Sequence, residues 1–276
     1  IKVTIDLQST ELARSFEDLK PNNVKVKTDK NKIAIIIGAE NYRNMTKCNY
    51  CNNDANAFRA YAKEALGVKK SNTIALIDED ATEGQILKTF KIDLRRIAGD
   101  GGKDIYVFFA GHALASESGD DVYLIPQDGD ESLLEDTAIS RVELIKLMKE
   151  VNPKSVTMFI DACYSGQTRN EKVLVASLRG LKKIKEDDIP DNFTIFTASS
   201  SSQGSSHIEE VKHGIFSYYL MKGLEGKADT NKDNKITNGE LITYLKTNVS
   251  KEAFVQDREQ DPMLSGINDK VLMSYR

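Results

Sequence analysis

Six short runs of apolar residues punctuate the chain, at 33–37, 73–77, 105–109, 122–125, 155–160 and 193–197. They are continuous rather than alternating, the pattern of strands buried on both faces of a mainly parallel sheet. Between them lie stretches with helical spacing. In 54–66, apolar residues recur at 57, 58, 61, 62, 65 and 66, one stripe of an amphipathic helix. The segments 81–97, 137–151, 215–224 and 240–249 read the same way. Strands alternating with helices predict an α/β fold with helices on both faces of the sheet. Residues 1–8 alternate like a half-exposed strand, and the polar stretch 21–32 reads as a linker or edge hairpin. There is no internal repeat. The expected organisation is an extension over 1–31 followed by one domain over 32–276.

Composition narrows the function classes. The 276 residues carry 38 basic and 42 acidic side chains, a net charge of −4, so no basic face for nucleic acid is expected. No apolar run approaches the roughly 20 residues that cross a bilayer, which predicts no membrane span. Three cysteines, Cys48, Cys51 and Cys163, are too few and too unevenly spaced for a disulfide framework. The Cys48–Cys51 pair has the spacing of half a zinc site, but no second pair or nearby histidine completes it, and zinc is not expected. The chain begins at Ile1, and its compartment is open.

The chemistry concentrates at two strand ends. In FIDACYSGQTRNEK (159–172) an apolar run stops at Asp161-Ala162-Cys163; the run 105–109 leads into Ala110-Gly111-His112-Ala113. Parallel strands all finish at one edge, and ligands bind outside those carboxyl ends. Neighbouring strands would bring Cys163 and His112 together there. That pairing is what a nucleophilic cysteine needs: an imidazole that takes the thiol proton and later delivers it to a leaving amine. A buried core cysteine and a structural histidine are the alternative for each residue alone.

The segments KIAIIIGAENY, CNNDANAF, DIYVFFAGHA, VYLIPQD, MFIDACYSG, FTIFTASSSSQGS and HGIFSYYLMKGL follow one another as in the caspase-like cysteine peptidases of clan CD. The chain resembles the metacaspase and bacterial caspase-homologue branch over roughly 32–249, with Cys163 about 50 residues after His112 as in caspases. The resemblance implies a three-layer sandwich around a mostly parallel six-stranded sheet. It implies a larger segment to about residue 166, a processing loop over 167–192 and a smaller segment over 193–276. His112 would be general base and acid, Cys163 the nucleophile, and the backbone N–H groups of Ala113 and Cys163 the oxyanion hole. The family usually has glycine where this chain has Ala113, so that donor survives only where its φ is negative.

Further implications concern specificity. True caspases carry Gln two residues before the cysteine and cut after Asp; this chain has Asp161, as metacaspases do. Cys51-Asn52-Asn53-Asp54 matches a metacaspase element whose last residue is a second acid. Two carboxylates in a recessed pocket would select Arg or Lys; Asp54 also suits a cap for the helix over 54–66. A legumain-like or gingipain-like pocket is a variant of the same reading. The basic residues Arg169, Lys172, Arg179, Lys182, Lys183 and Lys185 make the loop after Cys163 a candidate for self-cleavage. A catalytically silent binding module is the alternative from another class. A protein or peptide substrate is implied, and a monomer is favoured over a caspase-type dimer.

No cofactor is required for this chemistry, but calcium is a candidate ligand. Asp229, Asn231, Asp233, Lys235 and Glu240 fall on an EF-hand-like twelve-residue spacing, with Asn234 in place of the usual glycine. A polar turn that caps the next helix is the alternative. The acids Asp120, Asp121, Glu135 and Asp136, between the His and Cys elements, are a second candidate implied by the family.

Overall fold

The computed structural model describes residues 15–116, 121–163, 189–199 and 205–276. Its strands are β1 (Lys32–Gly38), β2 (Thr73–Ile77), β3 (Asp104–Ala115), β4 (Val122–Leu124), β5 (Ile139–Ser140), β6 (Ser155–Cys163), β7 (Phe193–Thr197), β8 (His207–Ile208), β9 (His213–Gly214), β10 (Lys235–Thr237), β11 (Met263–Ser265) and β12 (Val271–Ser274). The helices are α1 (Cys51–Glu64), α2 (Glu83–Lys88), α3 (Leu94–Ala98), α4 (Leu134–Thr137), α5 (Arg141–Lys149), α6 (Ile215–Lys222) and α7 (Asn238–Val255).

The central sheet runs in the order β11-β7-β6-β3-β1-β2. Neighbours from β7 to β2 are parallel, and β11 closes one edge antiparallel to β7. Five of these strands, β1, β2, β3, β6 and β7, are runs that the apolar pattern predicts, whereas β11 is not among them; β1 is buried from Ile33 to Gly38. Burial on both faces demands cover on both. One helix group is α1, α6 and α7, with α1 against β1, β2 and β3; the other joins α5 to the helical stretch 83–98.

Three expectations shift. The run 122–125 is not a parallel core strand: β4 pairs antiparallel with the end of β3. The few residues between β3 and β4 are too short for a crossover, and a short connection forces a hairpin. The single helix expected over 81–97 is α2 and α3 separated by a π-turn at Thr89–Asp93. The apolar periodicity runs through that turn, so it left no gap in the pattern. α1 begins at Cys51, three residues earlier than its apolar stripe implies.

The core aligns the site. Phe108, Phe159 and Phe196 are register partners on β3, β6 and β7, and Phe58 of α1 stacks on Phe108 with ring centroids 4.4 Å apart. Side chains alternate with a period of two along a strand. His112 and Asp161 therefore share the face of Phe108 and Phe159, the one α1 covers. Gly38 ends β1 where a Cβ would lie 2.6 Å from the Ala55 side chain, so only glycine lets α1 approach this closely.

Residues 15–31 run along this body. Phe16 meets Tyr218 edge to face, Val24 is buried, and the Lys20 N–H and Tyr61 hydroxyl both donate to buried Glu225, each at 2.5 Å. No helix among the described residues is long and apolar enough to cross a membrane.

Candidate active site

β3 and β6 stay in register to their last pair, which is His112 with Cys163. Adjacent strands lie about 4.8 Å apart. The backbones of the two residues are therefore neighbours at the carboxyl edge of the sheet.

His112 is buried, and the structure fixes its ring. Its Nε2 lies 2.9 Å from the Thr46 carbonyl oxygen. A carbonyl only accepts, so Nε2 carries the proton, and in the neutral ring Nδ1 carries the lone pair. Thr46 belongs to the loop between β1 and α1. Asp78 holds that loop, accepting the Glu40 and Asn41 N–H groups at 2.9 Å each and the side-chain amides of Asn41 and Asn52. Burial alone would raise the Asp78 pKa, but these donors outweigh it and hold the carboxyl below its usual value.

Tyr42 supports the same histidine from another side. Its hydroxyl accepts the His112 N–H at 2.7 Å and donates to the Ile125 carbonyl at 3.2 Å. The Ile125 N–H in turn donates to the His112 carbonyl at 2.9 Å. The phenol oxygen thus stands where the second direct bond of a β3–β4 ladder pair would form. It reaches that position only past Gly111, where a Cβ would lie 2.5 Å from it. The Tyr42 and His112 rings are 4.7 Å apart, tilted by 34°.

The substitution at Ala113 causes no strain. It lies within β3 and is absent from the non-glycine residues with positive φ. The Ala110 carbonyl accepts from Ala39 beyond β1, and the His112 carbonyl accepts from Ile125 on the same side. Alternation then turns the Ala113 N–H to the opposite side, toward β6 and beyond its last residue.

Asp161 and Asp54 are fully buried and converge on one feature, the start of α6. Asp161 accepts from the Ser205 hydroxyl at 2.6 Å, the Ser217 hydroxyl at 2.5 Å and the Ser217 N–H at 3.2 Å. Asp54 accepts from His213 Nδ1 at 2.8 Å and takes the Gly214 N–H at 3.1 Å on either oxygen. The capping role for Asp54 is corrected: Tyr50 is the N-terminal cap residue of α1, and Asp54, one turn inside, points across to β9. Ser205, His213, Ser217, Thr46 and Tyr42 were not singled out in the sequence. Tyr42 closes the motif KIAIIIGAENY, whereas Thr46 acts through its main chain, which no side-chain pattern reveals.

The remaining candidates are dispersed. Arg169, Lys172, Arg179, Lys182, Lys183 and Lys185 lie outside the described residues. Cys48 and Cys51 form a disulfide between the Thr46 loop and the first residue of α1, a pairing the cysteine count had not suggested. Asp229 accepts the N–H groups of Asp233 and Asn234, and Asn231 accepts from Asp233, within the loop before α7. Asn234 adopts the left-handed φ of 62° expected at that position. Lys235 opens β10, and Glu240 closes a capping box with Thr237 at the start of α7. Asp121 serves the hairpin, accepting from Val122, Val142 and Ser140, and Asp120 lies outside the described residues. Glu135 and Asp136 sit on α4. Among the described residues no three His, Cys, Asp or Glu side chains gather as a metal site.

A parallel α/β sheet that brings a buried, oriented histidine beside a cysteine at its carboxyl edge defines a caspase-like architecture. The family model for the caspase domain matches residues 31–272, and the chain belongs to that family, whose members are cysteine peptidases of clan CD. Among solved structures, caspase-1 from Spodoptera frugiperda is similar with a TM-score of 0.59 and 15% identity, covering 95% of this chain and 96% of its own. Protein GSU0716 from Geobacter sulfurreducens is similar with a TM-score of 0.56 and 17% identity, covering 89% of this chain and 97% of its own. At these identities the likeness concerns the fold. No curated protein sequence matches the chain significantly.

Proposed function

We propose that the protein is a cysteine endopeptidase that cleaves after Arg or Lys, with a Cys163–His112 dyad. The observation that carries this reading is the terminal register pair of β3 and β6, together with a histidine whose Nε2–H is spent on Thr46. Nδ1 of His112 takes the thiol proton of Cys163, and the thiolate attacks the scissile carbonyl. The N–H groups of Ala113 and Cys163 receive the negative charge that develops on the carbonyl oxygen. His112 then protonates the leaving amine, the thioester forms, and water hydrolyses it with His112 acting as base. Thr46 holds the imidazolium through both steps.

Asp161 and Asp54 supply the preference for a basic side chain. Buried negative charge held by hydroxyls, main-chain N–H groups and the His213 imidazole favours a cation that completes it. Fluorogenic peptides differing only in the residue before the scissile bond test this reading. The same preference makes the basic 167–192 loop a self-cleavage substrate, so the purified protein is expected to fragment there.

Tyr42→Phe is expected to lower kcat about tenfold with KM little changed, because it loosens His112 without touching substrate. An unchanged kcat would remove Tyr42 from the positioning role.

Calcium enters this reading only as a stabilising ligand of the 229–240 loop, where Asp229, Asn231, Asp233, the Lys235 carbonyl and a Glu240 released from its capping box would hold it. Millimolar calcium is then expected to raise the melting temperature by a few degrees, and Asp229→Asn to abolish the rise. An equal melting temperature in calcium and in chelator takes calcium out of the account.

A further inference from the structure

At the end of the sheet opposite the His112–Cys163 edge, the amino ends of the strands border a cavity of about 990 Å³. Lys32 begins β1, Asp104 begins β3 and Ser155 begins β6, and all three line it, as do residues of β12. The lining is strongly basic, with Lys27, Lys30, Lys32, Lys69, Lys154 and Lys270. The two acids there are already engaged. Asp104 accepts from Ser155 Oγ at 2.7 Å and Lys154 Nζ at 3.4 Å, and Asp29 accepts the Asn31 N–H at 2.8 Å. In a chain of net charge −4 this is a local reversal of sign within a concave wall.

Lys270 is the most telling member. Its Nζ is buried and has no hydrogen-bond partner among the described residues. Burial pushes its pKa down; the charge of Asp104 opposes this and that of Lys154 adds to it. Lys32 is likewise depressed by burial, although its Nζ donates to the Leu66 carbonyl at 2.8 Å. A folded protein rarely keeps a buried ammonium unpaired, because the lost hydration is not returned. Here the missing counter-charge has a place to sit, with Tyr106 and Thr157 hydroxyl groups among the lining residues. The surplus of lysines over acids calls for several negative charges, and the volume is that of a small-molecule site rather than of one inorganic ion.

We propose that this cavity binds a compact anion carrying two or more phosphoryl groups, with Lys270 supplying the buried cation and Lys32, Lys69 and Lys154 the surrounding ones. The site is independent of the peptidase reading.

Inorganic triphosphate is the first probe, by calorimetric titration and thermal shift at constant ionic strength. The wild-type protein is expected to bind it, to gain several degrees in melting temperature, and to respond far less to inorganic phosphate. Lys270→Met is expected to raise the melting temperature without ligand, since it removes the unpaired cation, and to weaken triphosphate binding at least about tenfold. Lys154→Met gives a second, more exposed test of the same loss, and Lys246→Met, on α7 outside the cavity, is expected to bind as wild type. Phosphatidylcholine vesicles with and without a phosphorylated inositol lipid separate the sources. Retention displaced by triphosphate assigns a lipid-borne headgroup, and triphosphate binding without retention assigns a free anion; both support the site. No triphosphate binding at about 5 mM, or undiminished binding by both the Lys270 and Lys154 variants, overturns it.

Discussion

Cys163→Ala is expected to bring peptide hydrolysis down to background, a fall in kcat on the order of 10⁵ or more, and to stop fragmentation of the purified chain. The size follows from the chemistry, because without the sulfur there is no acyl-enzyme and His112 has no proton to take. Losing the nucleophile forfeits nearly everything that the oriented histidine and the two N–H donors contribute together. The fold should be little affected, since the residue is the last of β6. Activity and fragmentation measured beside the melting temperature separate the cases. A folded variant that still hydrolyses at wild-type rate would end the nucleophile assignment, and equal fragmentation of both proteins would end self-cleavage. A wild-type protein as inert as the variant would instead favour a silent binding module.

The second large effect is expected from Asp161→Asn. The substitution keeps size and shape, removes the charge, and turns an amide N–H₂ toward oxygens that now donate to it. For a peptide with Arg before the scissile bond, kcat/KM should fall roughly 100-fold or more, the range for removing one partner of a buried charge pair. Leaving Ser205, Ser217 and the Ser217 N–H poorly matched should also cost about 1–3 kcal/mol of stability. The two effects are separable. Alkylation of Cys163 by a small uncharged reagent depends on the dyad and not on the pocket, so its rate should be nearly unchanged in the variant. A parallel loss of alkylation and hydrolysis would make Asp161 a structural support of the strand end.

Both sites were legible to the extent that they announce themselves by strand ends. Continuous apolar runs marked β1, β2, β3, β6 and β7, because parallel strands covered on both faces have no polar side to show. Once the strands were ordered, His112 and Cys163 had to leave the same edge. What stayed hidden has physical reasons. The grip on His112 comes from the Thr46 carbonyl and from a tyrosine hydroxyl that reaches it past Gly111, and neither has a side-chain periodicity. The partners of Asp54 and Asp161 come from 44 to 160 residues further along the chain, a tertiary convergence on α6 that local pattern does not encode. β4 is indistinguishable from a core strand in the sequence, because a short buried hairpin strand is just as apolar. The apolar stripe marks α1 only from Asp54 onward, because the first turn, Cys51-Asn52-Asn53, carries none of it.

The most direct test of the central claim is a pair of fluorogenic peptides, identical except for Arg or Asp before the scissile bond, given to the wild-type protein and to Cys163→Ala. The account predicts rapid hydrolysis of the Arg peptide by the wild type, none of the Asp peptide, and neither by the variant. Preferential cleavage of the Asp peptide, or hydrolysis of the Arg peptide that survives loss of the sulfur, would contradict it.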